Sequence, residues 1–170
     1  MVRTLSAGLA LTVLAAIPAL AQQSPPPTCA APEHRQFDFW IGAWDVLNPD
    51  GQKVGVNTIT VGLNGCVLHE QYESLRGAYR GSSYNVYDRT AQRWHQTWVD
   101  NTGLLLQLDG RFADGRMLLE GRTRRSDGSE QLERITWSAN PDGSVRQLWH
   151  RSTDGGATWN VAFDGKYVKQ

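Results

Sequence analysis

Polar and apolar residues alternate in short segments along most of the chain. Trp94, Gln96 and Trp98 fall on one face of such a segment, with His95, Thr97 and Val99 on the other. Ser83, Asn85 and Tyr87 share a face in the segment before it. A period of two is that of extended strands, whose side chains point to opposite sides in turn. Turn-forming residues punctuate these segments: Asn48-Pro49-Asp50-Gly51, Asn64-Gly65, Arg76-Gly77, Asp88-Arg89-Thr90, Asn101-Thr102-Gly103, Asp114-Gly115, Ser126-Asp127-Gly128, Asn140-Pro141-Asp142-Gly143 and Asp154-Gly155-Gly156. Asn-Gly and Asp-Gly tolerate the positive φ that tight hairpins require. The rhythm predicts an all-β domain of about ten antiparallel strands. The single helical candidate is one turn near residues 37–41.

A run of consecutive short hairpins favours an up-and-down meander over a Greek-key sandwich, and closing it into a barrel removes exposed sheet edges. Several strands carry polar residues where a solid aliphatic core would not have them. Glu70 and Tyr72 face one way, as do Arg134 and Thr136 beside Ile135 and Trp137. This predicts a mixed polar and aromatic cavity. Alternation along neighbouring strands places Glu70, Tyr72, Asn85, Tyr87, Gln96, Trp98, Arg134, Gln147 and Trp149 on the inner face as candidate ligand-binding residues. A bulge in any strand flips its set.

The start of the chain changes the picture from fold to location. Arg3 precedes an apolar run and Ala19-Leu20-Ala21 forms a small-x-small site, so residues 1–21 read as a secretory signal. The run is shorter than the ~20 residues of a membrane span. Residues 22–32, rich in Pro, Gln and Ala, read as a flexible leader, and residues 33–170 as one barrel domain. The expected location is periplasmic or secreted, with no membrane insertion after cleavage. Without Arg3 the 17 cationic residues fall to 16, against 17 acidic ones. So even a balance argues against a nucleic-acid partner. Cys29 and Cys66 are an even pair in an oxidising compartment and read as one disulfide joining the leader to an early strand.

Two local patterns resemble known families. Ser152-Thr153-Asp154-Gly155-Gly156-Ala157-Thr158-Trp159 resembles the Asp-box of sialidase propellers, a structural hairpin. Such a hairpin has the Asp capping backbone amides, Gly156 in a conformation that needs glycine, and the Trp packed under the loop. Phe37-Asp38-Phe39-Trp40-Ile41-Gly42-Ala43-Trp44-Asp45-Val46 resembles the opening of calycin-type barrels, the lipocalins and fatty-acid-binding proteins, and above all the ten-stranded nitrobindin-like ones. Ser83-Tyr84-Asn85-Val86-Tyr87-Asp88, residues 94–100 and residues 145–149 are similar to segments of exported bacterial domain-of-unknown-function proteins with this fold. The resemblance implies the Trp laid across the closed end of a barrel; it implies no activity.

The function expected is therefore an exported binding barrel for a small, partly apolar ligand, without a cofactor. A haem barrel is the alternative the resemblance raises, but strand parity turns His69, His95 and His150 away from the interior. Nucleophile-elbow, zincin, phosphate-loop and dinucleotide motifs are missing from the sequence. A cavity enzyme with Glu70 as base and Arg134 as anion clamp is the other alternative, as is a self-satisfied Glu–Arg pair.

Overall fold

The structure, a computed structural model, describes residues 29–170. The signal-like segment and residues 22–28 of the leader lie outside the described residues. Ten antiparallel strands run β1 (Gly42–Leu47), β2 (Lys53–Gly62), β3 (Val67–Ser74), β4 (Arg80–Asp88), β5 (Arg93–Asp100), β6 (Leu105–Ala113), β7 (Arg116–Arg124), β8 (Glu130–Ala139), β9 (Val145–Ser152) and β10 (Asn160–Lys169). Each pairs with its sequence neighbours, and β1 also pairs with β10, Trp44 opposite Lys169, which closes an up-and-down barrel. The architecture is consistent with the calycin class.

The connections explain why the strands stop where they do. Asp88, Asp100, Asp127 and Asp142 each accept a hydrogen bond from the backbone amide two residues on, at 2.8, 2.8, 2.9 and 3.0 Å. This local bond offers the backbone a turn in place of the ladder. The hairpin between β9 and β10 is built as the Asp-box pattern predicts. Asp154 accepts from the Thr158 amide and hydroxyl at 2.9 and 2.6 Å, Gly156 has φ +96°, and the Trp159 indole donates to the Gly156 carbonyl at 3.1 Å. Among the described residues, helix is confined to short 3-10 turns at Pro32–Arg35, Asp38–Trp40 and Leu63–Gly65. The second is the turn expected near residues 37–41; the others were not anticipated.

One end of the barrel is plugged by aromatic rings. Phe37 stacks on Trp40 at 5.0 Å and meets Trp94 and Trp137 edge-on at 5.6 and 5.2 Å. Trp44 is fully buried and its indole donates to the Trp40 carbonyl at 2.9 Å, fixing the plug to β1. The Cys29–Cys66 disulfide ties the segment before the plug to the turn ahead of β3. Outer faces carry cross-strand ion pairs, among them Arg146–Asp164 and Lys53–Asp45. These pairs hold several of the arginines on solvated faces, where each stabilises little.

One predicted inward residue is on the outside. Arg134 donates to Glu120 at 2.6 Å and lies 4.0 Å over the Trp159 ring. In β8 the inner face is Glu133, Ile135 and Trp137, all buried. Burying an indole and an isoleucine outweighs burying a guanidinium and a threonine, and the strand turns accordingly.

Candidate functional site

The plug fills only one end. Toward the other, the barrel encloses a cavity of about 250 Å³. Its walls come from residues far apart in sequence: Glu70 and Tyr72 of β3, Gln96 and Trp98 of β5, Leu106 of β6, Ile135 of β8, Gln147 and Trp149 of β9, Ala162, Phe163 and Tyr167 of β10, and Tyr79 from the connection before β4. Glu70, Gln96, Leu106, Ile135, Gln147 and Tyr167 are buried and form the inner part. Tyr72, Tyr79, Trp98, Trp149 and Phe163 are half-buried and ring the mouth.

The aromatic ring at the mouth depends on glycines in the walls. A Cβ at Gly81 would fall 2.0 Å from the Trp98 ring, one at Gly55 2.6 Å from the Tyr72 hydroxyl, and one at Gly165 2.6 Å from the Phe163 ring. Each ring thus lies in a slot that any other residue would fill. Trp149 is held differently. Its indole donates at 2.7 Å to Glu133, and Arg151 lies 4.1 Å over its ring.

The floor is a connected polar network. The Glu70 carboxyl accepts from the Asn57 amide at 2.7 Å and from the Ser83 hydroxyl at 2.6 Å. Ser83 accepts in turn from Asn85 at 2.9 Å and Gln96 at 3.3 Å. The Tyr167 hydroxyl donates to Gln147 and lies 3.5 Å from the Asn57 amide. Burial pushes the Glu70 carboxyl up to about 7, against the pull of its two neutral donors. Burial likewise raises the Tyr167 hydroxyl well above its ordinary value, so it stays neutral.

Of the nine residues placed inward from the sequence, Glu70, Tyr72, Gln96, Trp98, Gln147 and Trp149 stand together around the cavity. Asn85 is buried inside the barrel but serves the floor from behind, through Ser83. Tyr87 packs under the plug against Trp94 and His34. Arg134 lies outside, so neither the Glu70–Arg134 catalytic pair nor a self-satisfied pair of those two residues forms. The buried acid with a guanidinium partner is Glu133, which accepts from Thr123, Gln131, Trp149 and Arg151 at 2.7, 2.8, 2.7 and 3.2 Å. Ile135 and Trp137 were the available signal: the more apolar face of β8 carries Glu133 with it. Phe163 and Tyr167 could have been read from the alternation of β10, whereas Tyr79 sits in a connection where alternation says nothing.

A haem bound in the nitrobindin-like way would need an imidazole in the cavity. His69 bonds Ser82 and stacks on the exposed Tyr84, His95 bonds Asp109 and Thr97, and His150 alternates outward from Trp149. His34 is buried in the N-terminal turn beside Tyr87. No histidine among the described residues is therefore placed to ligate a haem in this cavity.

No protein-family model and no curated relative matches the chain.

Proposed function

We propose that the protein is exported and binds a small, partly apolar molecule in the barrel cavity. The observation that carries this reading is the pairing of slotted aromatic rings at the mouth with a buried polar floor. A barrel built only for stability would fill its interior, since an internal void forfeits dispersion contacts. Here wall glycines keep the rings back while polar groups converge beneath them, the composition of a site that grips an apolar body and orients a polar end. The signal-like residues 1–21 and the Cys29–Cys66 disulfide support passage to an oxidising compartment.

Native mass spectrometry of protein purified from its own host tests the reading. A mass above that of the polypeptide, lost on denaturation, is the expected result. A bare polypeptide mass that no extract of the host's envelope or medium can raise would contradict it.

A further inference from the structure

Glu70 is, among the described residues, the only one lining the cavity that carries a formal charge. Its oxygens meet an asparagine amide and a serine hydroxyl, and no cation. The arginines near the mouth are committed elsewhere. Arg151 pairs with Glu133, and Arg76, in the connection between β3 and β4, with Gln52. The titratable groups turned toward Glu70 are phenols, Tyr72 on its own strand and Tyr167 on β10, both raised by burial and neutral. Beside it the Asn57 side-chain oxygen is buried and without a donor among the described residues. The inner end of the cavity is therefore rich in acceptors and short of positive charge.

From this arrangement we infer that the ligand is a small organic cation, an ammonium group bearing an apolar or aromatic substituent. The ammonium would sit against Glu70 and the substituent between the Trp98 and Trp149 rings. An unpaired buried carboxylate is costly, and a bound cation is the partner that removes the cost. The Trp98 and Trp149 rings add to this by packing against the apolar or aromatic substituent. An anionic ligand would meet the opposite: a carboxylate and no free guanidinium. This assignment rests on the cavity being a ligand site, and it adds the charge of the ligand.

The consequence is proton-linked binding. Free Glu70 titrates near 7, and a cation binds its ionised form. The affinity for a permanently charged ligand should thus fall about tenfold per pH unit below 7 and level off above it.

Calorimetric titration with benzyltrimethylammonium, 2-phenylethylammonium, 2-phenylethanol and phenylacetate tests the assignment. At about pH 8 the two cations should bind at least about tenfold more tightly than the alcohol, and phenylacetate most weakly. Glu70→Gln should remove both the preference and the pH dependence. Trp98→Leu should weaken the cations while leaving the pH dependence in place, and thermal melts of both variants report that they fold. Equal or tighter binding of the alcohol or the acid overturns the cation assignment and leaves the cavity a binding site. Binding by none of the four also overturns it, and the ligand-site reading is then decided separately by the native mass of the host-purified protein.

Discussion

Glu70 and Glu133 are both buried carboxyls in one barrel, yet their surroundings differ in kind. Glu133 is met by four donors, including a guanidinium and an indole, and so is a structural brace that fixes Trp149. Glu70 has two neutral donors and titrates near 7 rather than at the usual 4.5. Below the lower value both folded and unfolded chains hold the proton, and Glu70 leaves stability unaffected. Between the two values the unfolded chain releases a proton that the folded one keeps. Stability therefore falls as pH rises through this window and stays at its lower level above about 7. The full loss is on the order of 3 kcal/mol. Glu70→Gln removes the ionisation while its carbonyl can still accept from Asn57. Urea unfolding across the pH range should show the variant gaining on the wild type from about pH 4.5 to 7. A difference between the two that does not change with pH would contradict the buried, uncompensated carboxyl.

At the scale of the strand, the site is made by faces. Gly81 alternates with Ser83 on the inner face of β4 and leaves the slot in which the Trp98 ring lies. Gly81→Ala would put a methyl group 2.0 Å from that ring, so the indole must swing into the cavity or the strands must part. We expect a destabilisation of about 1–3 kcal/mol, the usual cost of overpacking, together with loss of ligand. Denaturant unfolding and the native mass spectrum check the two effects. Unchanged stability and ligand retention would show that the slot is not needed. Strands and hairpins were legible in the sequence because turn chemistry is local: Asp142 caps its own turn whatever lies across the barrel. Strand parity was legible where one face was plainly apolar or aromatic, as in β5. In β8 both faces hold polar residues, and Arg134 and Glu133 exchange places unless the Ile135 and Trp137 burial is weighed first. Irregular register also hides the site. A shift between Val161 and Phe163 adds Ala162 to the cavity wall beside Phe163, which no alternation rule anticipates.

Across the whole molecule, the plug and the mouth divide the labour. The Phe37–Trp40 stack closes one end, and the disulfide fastens the chain before it to the β2–β3 connection, a sequence separation of 37. On the chain-entropy model a loop of this length contributes about 4 kcal/mol by restricting the unfolded chain. Replacing both cysteines by serine should lower the unfolding free energy by up to that amount and leave ligand affinity unchanged, because neither cysteine lines the cavity. Loss of affinity in a variant that still folds would place the disulfide in the site after all. The mouth, by contrast, is kept open at some expense of packing, since its rings and the buried Glu70 enclose space that a denser core would fill. The most direct test of this division is a high-resolution crystal structure of the protein purified from its own host. Continuous non-protein density between the Trp98 and Trp149 rings, reaching Glu70, is the predicted result. A cavity closed by Trp98, Tyr72 and Phe163 folded inward onto Glu70 would contradict it.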